Sequence, residues 1–169
     1  MTTGNRLGLR LRQSLSAIAI FTVTACTPRT TAMTQEQLDD LATRYAAAWS
    51  SQDPASLAAF YAENGSLSVN AGAPSVGRTA ITTTAQEFMT AFPDMVVRKE
   101  QVSREGPHVI FRWLWTGTNT GPGGTGKSVR IQGHEQWTMD AQGLIGESKG
   151  HYDEAEYERQ VRADTPPAP

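Results

Sequence analysis

From residue 109 onward the chain alternates. Val109, Phe111, Trp113 and Trp115 occupy successive odd positions, and between 129 and 139 the odd positions hold Val129, Ile131, Gly133, Glu135, Trp137 and Met139. The even positions of the second segment are Arg130, Gln132, His134, Gln136 and Thr138. A period of two predicts strands with one face buried. Four successive strands are expected, at 95–105, 109–118, 128–139 and 144–152. Asp140 to Gly143 gives a tight turn between the last two, and the GPGGTG run at 121–126 a loose one.

Upstream the spacing is helical. Thr34 with Gln37 three residues on is a capping box, and Leu38, Leu41, Tyr45, Ala48 and Trp49 then follow a 3.6-residue period, predicting a helix over 35–50. Asp53-Pro54 starts a short helix at 54–62, with the proline at its first position. A short strand at 66–70 and a helix at 78–91 follow, the latter weakened by three consecutive threonines and ended by Pro93. Asp153 caps a final helix over 154–162. Helices first and a meander of strands afterwards predict an α+β fold with helices covering one face of a curved sheet.

The alternation also predicts which groups face inward. The odd face of 129–139 is the apolar one, so Glu135 is a polar intruder in the interior, and His134 faces outward if the strand is regular. On the last strand Ile145, Glu147, Lys149, His151 and Asp153 share a face, which would point His151 and Asp153 into the same space. A one-residue slip would reverse each of these assignments. Trp49, Tyr45, Trp113, Trp115 and Trp137 are the candidate pocket lining. Ionisable groups among large apolar neighbours suit a concave ligand site or acid–base chemistry.

The first 25 residues have a different character. Arg6, Arg10 and Arg12 precede a short apolar run, LSAIAIFTV, and Val23-Thr24-Ala25 places small residues before Cys26, the one cysteine of the chain. The run is too short to span a bilayer as a helix and fits an export signal. Cys26 falls where a lipoprotein lipobox needs it, so residues 1–25 are expected to be removed and Cys26 lipidated, anchoring the protein to a bacterial envelope membrane. Ordinary secretory cleavage after Ala25 is the other reading. Residues 26–33 would be a tether, 34–162 the domain and 163–169 a disordered tail.

Cleavage would remove three of the 15 basic residues and none of the 17 acidic ones, leaving a charge of −5 over 144 residues. A chain of that size buries roughly two-thirds of its unfolded surface as one domain. An acidic balance without a Lys/Arg cluster argues against nucleic acid, and one cysteine excludes an internal disulfide. No residue spacing supports a metal site, and GPGGTGK lacks the spacing of a phosphate loop.

Taken in order, AAAWSSQDP, FYAENGS, GRTAI, AFPD, WLWTGTNTGP, GKSVRIQG, DAQGLI and the terminal Tyr152-Asp153 resemble the SnoaL-like polyketide cyclase and ester cyclase group of the nuclear transport factor 2-like superfamily, over about residues 38–160. The resemblance implies a cone: a strongly bent, mostly antiparallel sheet wrapped around N-terminal helices, with a pocket inside and often a homodimer. It places the acid/base aspartate of aldol-type cyclases at Asp153, with His134 or Glu135 near the assisting strand position. Relatives commonly carry histidine where this chain has Asn119, and often an aromatic residue where it has Lys149.

Two functions remain open on these readings. In one, a cofactor-independent cyclase or isomerase binds a small hydrophobic carbonyl compound; Asp153 removes a proton and His151, Glu135 or His134 assists. In the other, a non-catalytic envelope lipoprotein binds a hydrophobic ligand or a partner protein. A hydrolase on the same cone would additionally need Arg112 to turn inward. For Asp153 a helix cap is the competing role, for His151 a hydrogen-bonded structural histidine, and for Glu135 a cross-strand ion pair with Arg112 or Arg130.

Overall fold

A computed structural model of the chain describes Met1 and residues 33–162. The expected signal segment, Cys26, most of the tether and the tail lie outside the described residues. Helix α1 (Gln35–Ser50) begins as anticipated: the Gln37 amide donates to Thr34 Oγ1 at 3.2 Å and the Thr34 amide to Gln37 Oε1 at 2.8 Å. Its buried face carries Leu38, Leu41, Tyr45 and Trp49. Asp53 caps α2 (Pro54–Ala58), which stops short of the expected residue 62. Tyr61 is fully buried and opens a strand instead, and the Ile145 amide bonds to the Phe60 carbonyl at 2.9 Å. Burial of one large aromatic residue outweighs the small helix propensity of a few exposed positions.

The sheet has six strands: β1 (Tyr61–Val69), β2 (Ser75–Val76), β3 (Val96–Glu105), β4 (His108–Thr118), β5 (Ser128–Met139) and β6 (Ile145–Tyr152). Their order is β2-β1-β6-β5-β4-β3; β1 and β6 run parallel and every other pair is antiparallel. The fold is α+β, a curved and mostly antiparallel sheet with helices, as the alternation and the helical spacing anticipated. Helix α3 (Arg78–Ala91) covers its residues as expected, and α4 (Glu154–Val161) closes the chain.

The odd residues of β4 and β5 form the inner face. Val109, Phe111, Trp113 and Trp115 are buried there, with Val129, Ile131, Glu135 and Trp137 opposite. Tyr45 of α1 sits over this face, its ring centroid 4.9 Å from that of Trp137 and 5.6 Å from that of Phe111. Each of the large apolar side chains contributes roughly 1.5–3 kcal/mol on burial, which makes α1 and the β4–β5 pair the backbone of the core.

Strand β6 departs from regular alternation. Met139 pairs with Ile145 but Thr138 pairs with Glu147, so β6 holds one more residue than β5 at this step. Such a bulge reverses the phase of the strand beyond it. Ile145 is buried, and past the bulge Ser148 and Gly150 are buried too. Glu147, Lys149 and His151 therefore occupy the outer face.

Candidate functional site

The inner face encloses a cavity of about 60 Å³ walled by Trp49 of α1, Phe88 of α3, Trp113 and Trp115 of β4, Glu135 of β5 and Tyr152 of β6. Two glycines shape it. Gly133 lies opposite Trp113 across β4–β5, and a Cβ there would run into the Trp113 indole and the His151 carbonyl oxygen. Gly150 lies opposite Glu135 on β6, where a side chain would stand in front of the carboxyl group; it too lines the cavity. Residues lacking side chains on the apolar stripe thus leave room for an indole on one side and for a ligand on the other.

Glu135 is the polar centre of this wall, 5% exposed. Its Oε2 accepts from Ser148 Oγ at 2.6 Å, Tyr45 Oη at 2.8 Å and Trp137 Nε1 at 2.8 Å. Tyr61 extends the chain, its hydroxyl 2.7 Å from that of Tyr45. Because Tyr45 donates to the carboxyl group, it accepts from Tyr61, so donors run in one direction toward Glu135. Burial pushes the Glu135 carboxyl above the ordinary carboxylate range, while the bonds from Ser148, Trp137 and Tyr45 pull it part of the way back. Burial, then the neighbouring Glu135, raises both Tyr45 and Tyr61, so both hydroxyls keep their protons.

All three bonds end on Oε2. Among the described residues Oε1 takes none, which makes it the oxygen available to a ligand. In the ionised form it offers a base; on protonation, Oε2 being fully engaged as an acceptor, the proton goes to Oε1. The arrangement can therefore exchange one proton with a molecule in an apolar cavity.

The other candidates lie elsewhere. Asp153 is exposed and caps α4, accepting from the Glu156 amide at 3.0 Å. His151 is also exposed: the β6 bulge turns it outward, contrary to the shared inner face expected for it and Asp153. His134 faces outward as regular alternation predicted, and its ring centroid is 5.2 Å from that of His151. Arg112, His134 and His151 are direct partners across three strands, forming a basic row on the outer face. Partial burial, then His151 and Arg112, lower the pKa of His134. Arg112 turns away from the cavity, so a carboxylate–arginine–carboxylate hydrolase constellation is not formed. Glu135 makes no ion pair with Arg112 or Arg130; its partners are hydroxyls and an indole.

Of the expected pocket residues, Trp49, Trp113 and Trp115 line the cavity, whereas Tyr45 and Trp137 stand behind it as donors to Glu135. Asn119 does neither. Its Oδ1 accepts from the Thr125 amide at 2.9 Å and its Nδ2 donates to the Ala91 carbonyl at 3.3 Å, which fastens the 119–126 loop to the end of α3. Ser148, Tyr61, Gly133 and Gly150 were not singled out from sequence as site residues. Gly133 left a signal, a glycine within an apolar stripe; Ser148 left none, because its inward direction depends on the bulge.

The sequence matches the family model described as SnoaL-like polyketide cyclase over residues 39–161. No curated protein matches it. Among solved structures, a candidate SnoaL-like polyketide cyclase from Jannaschia sp. CCS1 is similar at 19% identity and a TM-score of 0.68, over 78% of this chain and 95% of that one. A candidate polyketide cyclase from Xanthomonas campestris pv. campestris gives 21% and 0.67, over 76% and 98%. SalBIII, an epoxide hydrolase/cyclase-like enzyme in pyran ring formation in the polyether salinomycin, gives 16% and 0.61, over 72% and 94%. At these identities the likeness establishes the fold, and the match of the family model over most of the chain establishes the family: the protein belongs to the SnoaL-like polyketide cyclases.

Proposed function

We propose that this protein binds a small, largely apolar carbonyl compound in the aromatic cavity and that Glu135 transfers a proton on it, in cyclase- or isomerase-type chemistry. The observation that carries the reading is a buried carboxyl group with one oxygen fixed by three donors and the other left for the cavity. Oε1 would take a proton from the carbon beside the carbonyl, the C–H electron pair moving into the enolate and its charge onto oxygen. The same Oε1–H would then return the proton to carbon. A desolvated carboxyl group raised above its ordinary range is suited to this near neutral pH. The chemistry asks for no cofactor. SalBIII and the candidate cyclases from Jannaschia and Xanthomonas support ring-forming reactions as the class to test first.

The assay is exchange of the α-protons of cyclopentanone in D2O, followed by NMR. Wild type is expected to accelerate exchange, and Glu135→Gln to abolish the acceleration with an unchanged circular dichroism spectrum. Undiminished exchange in that variant would remove the mechanism. A second reading, a non-catalytic binder, is favoured by Asp153 and His151 lying outside the cavity; binding without exchange in the wild type would establish it.

We also propose export and lipid anchoring through Cys26, supported by the basic, apolar and small-residue pattern of residues 6–26. Radioactive palmitate should label the wild type and not Cys26→Ala; label retained in the variant would overturn this. A homodimer is inferred from the family resemblance, and sedimentation equilibrium tests it.

A further inference from the structure

The chain has three histidines. His108 is bonded, its Nδ1 lying 3.2 Å from Thr138 Oγ1. The other two face each other. His134 of β5 and His151 of β6 are direct cross-strand partners on the outer face, with ring centroids 5.2 Å apart. His134 is half-buried and His151 exposed, and among the described residues neither ring makes a hydrogen bond or an ion pair. Two imidazoles side by side, each with an uncommitted ring nitrogen, are the donors that divalent zinc takes. The pairing comes from the register of the sheet, which is why no spacing in the sequence announces it.

The separation of the rings favours one geometry. A zinc ion sits about 2.0–2.1 Å from a ring nitrogen, and hence about 3.2 Å from the ring centroid. Two rings on one ion at the tetrahedral angle then have centroids about 5.2 Å apart, against about 4.5 Å at the right angle of a square-planar ion. The pair in this sheet has the tetrahedral separation. The ring planes are inclined at 33°. Each ring turns about a broad terminal torsion, so aiming a nitrogen at the shared point needs no backbone movement.

The charges nearby are matched. Arg112 is the partner of His134 on β4, and Lys149 lies two residues before His151 on the same face. Each has a carboxylate beside it, Glu105 at 4.0 Å from Arg112 and Glu147 at 3.2 Å from Lys149. All four side chains are about half exposed, so pairing and solvent both weaken their repulsion of a cation. Among the described residues no third histidine, cysteine or carboxylate joins the pair. The protein supplies two positions and water the others, which makes the site open and exchangeable.

We propose that His134 and His151 bind a zinc ion on the outer face of the sheet, at a site separate from the cavity and independent of its chemistry. The chain neighbours of these histidines on the opposite face include Glu135, Gly150 and Tyr152, which line the cavity. The ion would tie β5 to β6 directly behind that wall and stabilise the fold, since the ligand pair exists only when the two strands are paired.

The test titrates the 15N-labelled full chain with zinc chloride and, separately, with magnesium chloride and inorganic phosphate. The ring nitrogen resonances of the three histidines are followed, each assigned through its own backbone. Zinc is expected to move His134 and His151 together and saturably, to leave His108 in place and to raise the melting temperature. Magnesium, which takes oxygen ligands, should move none of them. His134→Asn and His151→Asn should each weaken zinc about tenfold or more, because the second ring binds at the high effective concentration set by the sheet, and His108→Asn should leave it within about twofold. Acidification below the histidine range should release the ion, as both rings bind it unprotonated. The wild-type titration reads the rings directly and holds whether or not a variant folds. Zinc that leaves both rings unmoved, or moves one alone, would overturn the inference, as would undiminished affinity in either folded variant. Phosphate moving both rings where zinc does not would overturn it in favour of an anion site along the Arg112 row.

Discussion

Replacing Ser148 by alanine isolates one strut of the Glu135 network. Ser148 is fully buried and its Oγ lies 2.6 Å from Glu135 Oε2. The substitution removes a single oxygen atom, so almost no cavity accompanies the lost bond. A hydrogen bond to an ionised group contributes about 1.5–3 kcal/mol, and one to a neutral group about 0.5–1.5 kcal/mol. A measurement at pH 8 lies further toward the ionised side of the raised Glu135 pKa than one at pH 4, and Ser148→Ala should cost the larger amount there. At pH 4, below the raised pKa of Glu135, the carboxyl group is protonated and the cost should fall by roughly 1 kcal/mol. The sign agrees with linkage. Because the folded pKa lies above the unfolded value, the stability Glu135 confers is present below the ordinary carboxylate range and is lost as pH rises through the folded value; removing a donor to the charged form deepens that loss. Urea denaturation at the two pH values measures it. A double-mutant cycle with Glu135→Gln should show the same reduced cost in the glutamine background at pH 8. Equal costs at both pH values and in both backgrounds would refute the assignment of Ser148 as a donor to a titrating carboxylate.

Three further outcomes are expected. Asp153→Ala should lower stability by about 1 kcal/mol through loss of the α4 cap and leave ketone exchange within about twofold of wild type; loss of exchange in the folded variant would restore Asp153 to the chemistry. Gly133→Ala should cost about 1–3 kcal/mol by overpacking and displace the Trp113 ring, read as a change in near-ultraviolet circular dichroism; a neutral effect on both would contradict the close contact. In an NMR titration His134 should take up its proton below the ordinary histidine range, so that its contribution to stability declines as the solution is acidified below that range. His151→Gln should raise that midpoint, and an unchanged or lower one would remove the coupling between the two rings.

Much of this molecule was legible in its sequence. The capping box at Thr34, the proline after Asp53 and the alternation across β4 and β5 are local signals, and the elements they predict are present. Glu135 was legible for the same reason: a carboxylate on an otherwise apolar stripe must be buried and must find partners. Its partners were not legible. Tyr45, Tyr61 and Ser148 come from three elements separated by up to 90 positions from it, and their meeting is a property of the tertiary fold. The inward reading of His151 failed because alternation was extrapolated across a bulge, which no composition signal marked. For Asp153 two roles are legible, a base from the family resemblance and a helix cap from the local context directly before a helix, and the cap is the one the fold forms.

The extra residue in β6 has a consequence for how this scaffold changes over time. It works as a phase shifter: one residue near Gly146 decides which of two interleaved side-chain sets is read by the interior. With it, the wall receives Ser148, Gly150 and Tyr152; if the same residues paired regularly from Ile145 onward, the wall would receive Glu147, Lys149 and His151 instead, three ionisable groups in place of a hydroxyl, a gap and a ring. A one-residue register slip that erased the bulge would thus replace the whole chemical character of the wall in one step, whereas losing the extra residue itself would leave Ser148, Gly150 and Tyr152 in place.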